Sequence, residues 1–288
     1  MTIDHDHLMT FDIPEVTQSY GPKDWGLYAL SVGMGQDPTS MDELAYVAAL
    51  EDQKRVMPAI VNVLGHPGFW LADPRTGVDA LRLVHGEQGM TLHSDLPEEA
   101  TVIGKTRVTG LVDKGEGRGA LLYHEKTLHD AQTGIHLATC RGTTFLRGDG
   151  GFGGPTGPTK AVHTLPDRAP DHVINTPTRP EQALFYRWNA DPNPLHLDPR
   201  IAARAGFDRP ILHGLCTFGI AASALLARLC DYDATRFGSM DARFTAHVFP
   251  GETLRTEIWN DGSFRTIAIE RDKVVVDNGI FQYRTEET

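Results

Sequence analysis

A Gly- and Pro-rich stretch, GDGGFGGPTGPTKAVHTLPDRAP at 148–170, interrupts this chain and carries no hydrophobic period. It separates two flanks that resemble each other. Pro22–Tyr28 (PKDWGLY) lines up with Pro180–Tyr186 (PEQALFY), 158 residues later. Leu96-Pro97-Glu98-Glu99 lines up with Phe249-Pro250-Gly251-Glu252, 153 residues later. Both late segments run into strand-like alternation, TVIGKTRVTGLV in one flank and TLRTEIWN in the other. Two matches in the same order mark an internal duplication. The chain is expected to divide into a first repeat at 1–150, a linker at 151–170 and a second repeat at 171–288.

The second repeat reads in more detail. Pro180 to Arg187 predicts a short helix with proline in its first turn. Asp191-Pro192-Asn193-Pro194 cannot be helical, because both prolines lack an N–H and push the preceding residue to extended backbone. Asp198 is placed to cap a second short helix that starts at Pro199 and stops at Gly206. A longer helix is predicted from His213, with Leu215, Phe218, Ala222, Leu225, Leu226 and Leu229 on one stripe. Strands are predicted at 242–248, 253–259, 265–270 and 273–283. Helices followed by antiparallel strands make an α+β unit, its sheet wrapped around a buried central helix.

The composition suits a shared core: 40% of the 288 residues are hydrophobic and 23% are charged. A formal net charge of −11 argues against nucleic acid or an anionic membrane as a partner. It leaves room for an anionic small molecule met by a few local cations. No apolar run reaches the roughly 18 residues needed to span a bilayer. MTIDHDHLMT at the start reads as no secretion signal, and TEET at the end as no lipidation or peroxisomal signal. Cys140, Cys216 and Cys230 have no metal-ligand spacing, so a reduced, cytoplasmic protein without a metal is the expectation.

Chemistry concentrates in one region: Tyr186-Arg-Trp-Asn-Ala-Asp191-Pro-Asn193-Pro-Leu-His196-Leu-Asp-Pro, then Gly206-Phe-Asp-Arg-Pro-Ile-Leu-His213-Gly214-Leu-Cys-Thr-Phe. Asp191 and His196, spaced by a proline-stiffened loop, make an acid/base pair that can pass protons through one water. Asn193 either orients that water, having both donor and acceptor, or makes a turn bond to the backbone. Gly214 stands where the long helix starts, with unpaired N–H groups and the positive end of the dipole. An oxygen gaining negative charge can approach its amide closely, because glycine has no Cβ. His213 reads as support beside the pair, and Cys216 as a small core residue.

These motifs resemble the MaoC-like, or hydratase 2, family of (R)-specific enoyl-CoA hydratases. That family's pattern is an acid, any residue and Asn-Pro-Leu-His, with a downstream Pro-Ile-Leu-His-Gly. The likeness runs through both repeats, as in the family's two-hotdog form. In the first it includes Val84-His85-Gly86-Glu87-Gln88, Asp113-Lys114-Gly115 and the Gly-Gly-Phe-Gly-Gly stretch at 150–154. One departure is Ala190, where the family usually has Gly before the acid.

The resemblance implies an α+β double hotdog, two helix-in-antiparallel-sheet repeats packed as a pseudo-dimer. It implies reversible hydration of a trans-2-enoyl-CoA to a (3R)-3-hydroxyacyl-CoA, with Asp191, His196, Asn193 and Gly214 as the catalytic residues. Substrate contacts would come from His85, Gly86, Lys114, Pro192, Pro194, Leu195 and Phe244. No separate cofactor is implied, since CoA belongs to the substrate, and a homodimer is expected. On the residues alone, Lys114 is a solvated hairpin cation, Phe244 a core side chain and His85-Gly86 a strand end. A hotdog thioesterase and a non-catalytic acyl-CoA binder are the competing readings.

The matching region of the first repeat, Ser31-Val-Gly-Met-Gly-Gln-Asp37, holds no histidine. One active site per chain is therefore expected, with the first repeat shaping the acyl-chain tunnel. Gly148-Asp-Gly150-Gly-Phe-Gly153 fits a dinucleotide-binding pattern formally, but the Gly-Pro-Thr-Gly-Pro after it cannot open a helix. His5-Asp-His7 lies at a terminus, and no other cluster has metal spacing.

Overall fold

The computed structural model describes residues 3–50, 54–189 and 191–285; Ala190, the departure from the family motif, lies outside the described residues. Among the described residues, ten strands form one antiparallel sheet: β1 (Val16–Tyr20), β2 (Leu83–Leu92), β3 (Ala100–Asp113), β4 (Ala120–Asp130), β5 (His136–Leu146), β6 (His172–Pro177), β7 (Phe237–Phe244), β8 (Thr253–Ile258), β9 (Ser263–Ala268) and β10 (Lys273–Tyr283). Their order across the sheet is β1-β3-β4-β5-β2-β7-β10-β9-β8-β6. Read inward from either edge, the two halves have the same strand order. The duplication seen in sequence is thus a duplication of topology.

The halves meet where β2 pairs with β7, and Met90 lies opposite Met240 there. The matching strand orders on either side of this seam place a local two-fold axis through it. The helical side repeats the pattern. The helices are α1 (His5–Met9), α2 (Pro22–Ser31), α3 (Met41–Val47), α4 (Gln182–Tyr186), α5 (Pro199–Arg204) and α6 (Gly214–Leu229). Tyr28 on α2 and its counterpart Tyr186 on α4 have ring centroids 6.3 Å apart. Asn189 Nδ2 donates to Oγ of its counterpart Ser31 at 2.8 Å.

One continuous apolar cluster spans both repeats, and α6 runs through it. That helix forms because Ala and Leu dominate its 16 residues. It is buried almost all round, not along one stripe as the periodicity suggests. The sheet covers one side of it and α2 approaches the other. Gly219 permits that approach: a Cβ there would lie 2.5 Å from Val32 Cγ1. The helix stops at Asp231 and Tyr232, both with positive φ.

The first repeat has no long helix among its described residues, a departure from the expectation that each repeat would hold one. Between β1 and β2 lie α2, α3 and short 3-10 turns, one of them at Pro58–Asn62. Helix cannot continue from that turn, since Gly65 (φ 58°) and Gly68 (φ 75°) bracket Pro67. Lys126 on β4 holds the turn's end, its buried Nζ donating to the carbonyls of Val61 (2.9 Å), Asn62 (3.1 Å) and Leu64.

Two strand readings also change. β7 begins at Phe237, not Ala242, and 245–248 is irregular. β6, an edge strand ending at Pro177, was not anticipated. Residues 147–171 are irregular but tied down. The Asp113 carboxylate accepts the N–H groups of Gly151 (2.7 Å) and Gly153 (2.8 Å), Lys160 pairs with Asp241 (2.9 Å), and His163 Nε2 meets Ser263 Oγ (2.8 Å). Among the described residues, no helix is long and apolar enough to cross a membrane.

Candidate active site

The loop after α4 is built by its prolines and braced by its own polar groups. Asp191 Oδ1 accepts from the Asn193 N–H (3.2 Å), and Asn193 Oδ1 accepts from the Leu195 N–H (3.0 Å). That second bond caps a single 3-10 turn, Pro194–His196, which carries the histidine. Pro192, Asn193 and Pro194 are exposed, while Asp191, Leu195 and His196 are half-buried. Of the two roles open to Asn193, its Oδ1 is engaged in the turn bond.

His196 is fixed from behind. Its Nδ1–H donates to the Ile211 carbonyl at 2.9 Å, leaving the Nε2 lone pair for chemistry. Burial pushes its pKa below the ordinary value, against smaller opposing effects of the Ile211 carbonyl and Asp191, so the ring is a neutral base near pH 7. His213 packs against it with ring centroids 3.9 Å apart and planes inclined 31°. The Nε2 of His213 donates to the Asp191 backbone carbonyl at 3.3 Å, which ties the loop to the start of α6. Burial, with His196 alongside, brings the pKa of His213 down to about 3.

One carboxylate oxygen of Asp191 and one ring nitrogen from each histidine lie within 4.8 Å of one another. Each ring already spends one nitrogen on a backbone carbonyl, His196 Nδ1 on Ile211 and His213 Nε2 on Asp191. The arrangement suits proton transfer between Asp191 and His196 better than it suits a metal ion.

Gly214, Phe244 and His85 adjoin one another beside this group. Gly214 is the first residue of α6, where the N–H has no partner within the helix. A Cβ on Gly214 would lie 3.5 Å from the Phe244 ring. Phe244 in turn meets the edge of His85, centroids 4.9 Å apart. His85 is turned inward by an irregularity in β2: the register with β5 slips between His85 and Glu87, with Gly86 between them. Glu87 consequently faces outward to Arg243 (2.6 Å). Burial lowers the pKa of His85, against the opposing effect of the Glu87 carbonyl that its Nε2 meets at 3.1 Å.

Lys114 stands apart from this group. It is exposed in the turn between β3 and β4, its Nζ 5.9 Å above the Phe145 ring. Phe145 is opposite Val84, the neighbour of His85, so the lysine marks the end of β2 that leads to the site. The sequence reading missed His124, whose half-buried ring covers Gly142 on the inner face and whose pKa burial lowers to about 4. Its only prior signal was a histidine at an alternating position of a strand.

Comparison with known proteins bears on the fold and the family. The model of the MFE-2 hydratase 2 N-terminal domain matches residues 18–148, and that of the MaoC-like domain matches 161–281. An enoyl-CoA hydratase of Mycobacterium tuberculosis is 38% identical over 289 residues, covering 97% of this chain and 98% of that one. Among solved structures, a MaoC-like dehydratase from Phytophthora capsici superposes with a TM-score of 0.85 at 31% identity, covering 98% and 99% of the two chains. A double-hotdog protein of Mycobacterium tuberculosis, 18% identical, superposes with a TM-score of 0.54 over 94% of this chain and 93% of its own. The fold is a double hotdog. With both halves matched and relatives of this identity along nearly its whole length, the chain belongs to the MaoC-like, hydratase 2 family.

Proposed function

We propose that this protein hydrates a trans-2-enoyl-CoA reversibly to a (3R)-3-hydroxyacyl-CoA. The observation that carries the reading is the presentation of the Asp191 carboxylate with the two histidines, all within 4.8 Å, on a loop tied by His213 to the first residue of α6. A water held between Asp191 and His196 Nε2 is deprotonated as its oxygen adds to Cβ. The same pair returns that proton to Cα, so one water supplies both the OH and the H. Charge that develops on the thioester oxygen meets the Gly214 amide at the positive end of α6.

The neutral state of His196, with its proton on Nδ1, supports this division of labour. The CoA end is assigned to the side of His85, Gly86 and Lys114, and Phe244 to the floor beneath the thioester. The acyl chain is assigned to the first repeat, a reading supported by the absence of a long helix among its described residues. Cys140, Cys216 and Cys230 are unpaired and buried, which supports a reducing compartment.

The test is incubation with crotonyl-, decenoyl- and a bulky enoyl-CoA. Loss of the ultraviolet enoyl absorbance with formation of the (3R) product is the expected result. Release of free thiol would instead identify a thioesterase, and binding with unchanged absorbance would identify a non-catalytic acyl-CoA binder.

A further inference from the structure

Beneath the pair lie three buried polar atoms that hydrogen-bond to no other group among the described residues: Tyr28 Oη, Tyr186 Oη and His213 Nδ1. The residues that carry them are each no more than 1% exposed. They are neighbours. The Tyr186 ring centroid is 5.0 Å from that of His213 and 6.3 Å from that of Tyr28. Because His213 Nε2 faces a carbonyl, which only accepts, the proton sits on Nε2 and Nδ1 is a bare acceptor. Burial holds both phenols protonated, each with a donor and an acceptor to satisfy. Tyr28 Oη lies against the α6 backbone, since a Cβ on Gly219 would stand 3.0 Å from it.

Three such atoms on adjoining buried side chains are partners that a single internal water takes, since buried waters typically make about three hydrogen bonds. We propose that Tyr28, Tyr186 and His213 enclose an ordered water, and that Tyr186 acts through it as a positioning residue. The water accepts from Tyr186 Oη and donates to His213 Nδ1 and to Tyr28 Oη. Its bond to Nδ1 keeps His213 in the Nε2–H form, which keeps the Asp191 carbonyl, and with it the carboxylate, in place. The site crosses the local two-fold: Tyr28 comes from the repeat that lacks the acid/base loop, and Tyr186 is its counterpart in the repeat that has it. The kinetic part of this inference rests on the hydratase reading; the structural part does not.

The test uses the full-length protein labelled with 15N-histidine, in wild-type, Tyr186→Phe and Tyr28→Phe forms. Expected in the wild type are an Nε2–H tautomer of His213 with a hydrogen-bonded Nδ1, and in a high-resolution crystal structure a water among the three groups. Tyr186→Phe should shift the Nδ1 resonance and lower kcat roughly tenfold with KM within about twofold, the signature of lost transition-state positioning. The Tyr28→Phe, Tyr186→Phe double variant should be no worse than the poorer single one, because both act through one water. An absent water, or an unchanged His213 Nδ1 resonance in both single variants, would overturn the inference. Failure of the wild type to hydrate any enoyl-CoA would instead count against the hydratase reading and leave the NMR result standing.

Discussion

His213 lies against His196, ring centroids 3.9 Å apart, yet the two imidazoles spend their protons on different carbonyls: Ile211 for His196 and Asp191 for His213. One ring keeps a lone pair facing the loop, and the other serves as a strut between the loop and α6. Both stay neutral because burial disfavours the charged ring, and for His213 the neighbouring His196 adds to that effect.

That neutrality makes stability fall in mild acid. The pKa of His213 is about 3 and that of His124 about 4, against about 6.5 for an unfolded histidine. The unfolded chain therefore binds more protons between pH 6.5 and these values. The stabilising effect is complete above pH 6.5 and is lost as pH falls toward 3. Each group contributes a slope of up to about 1.4 kcal/mol per pH unit in that window. Urea denaturation at pH 7, 6 and 5 should show the decline, and a flat profile would contradict buried neutral histidines.

Replacing either member of the pair should cost activity and spare the fold. Asp191→Asn and His196→Gln are each expected to lower kcat by about 10²–10⁴-fold, the usual contribution of a general acid or base. Circular dichroism and thermal melting should be near those of the parent, since both side chains sit in a partly open loop. Near-normal turnover by either variant would remove the assignment.

Two glycines on α6 should respond in opposite ways to a single methyl. At Gly214 the new Cβ would make ordinary contact with Phe244 at 3.5 Å, so Gly214→Ala should fold normally while crowding the amide offered to the thioester oxygen. At Gly219 it would collide with Val32 at 2.5 Å inside the core, so Gly219→Ala should destabilise by about 1–3 kcal/mol. Paired melting curves and kcat values for the two variants distinguish the roles.

Asp113 should matter to the connecting segment. Its carboxylate collects the N–H groups of Gly115, Gly151 and Gly153, and these bonds outweigh burial to keep its pKa below the ordinary carboxylate value. Asp113→Ala would strand those donors at about 1–3 kcal/mol per buried group left unpaired. Limited proteolysis should then cut near 150–154 in the variant before it cuts the parent.

The sequence revealed the second repeat best where punctuation was strong. Pro192, Pro194, Asp198, Pro199 and Gly206 each restrict the backbone locally, so the loop and α5 are found where those residues put them. Asp113 and the Gly-rich stretch were both visible as motifs, but only the fold shows that one binds the other. The start of β7 was missed because Gly238 and Ser239 are weak strand formers ahead of the alternation of buried Met240 and Ala242 with Asp241 and Arg243. The missing helix of the first repeat was also hidden. Met57 to Leu64 is as apolar as a core helix, and only Pro58, Gly65, Pro67 and Gly68 tell against one. The grouping of His85, Phe244 and Gly214 depends on the pairing of β2 with β7, which no local pattern encodes.

The opposition of Met90 and Met240 has a further consequence. In a homodimer of identical single repeats, one codon change alters both sides of the axis at once, so every loop must serve two masters. Once the copies share a chain, each position can be inherited separately. Gly33 and Gly35 can stand in one copy where the other keeps an acid and an amide, and even counterparts that touch across the axis can diverge, as Ser31 and Asn189 have.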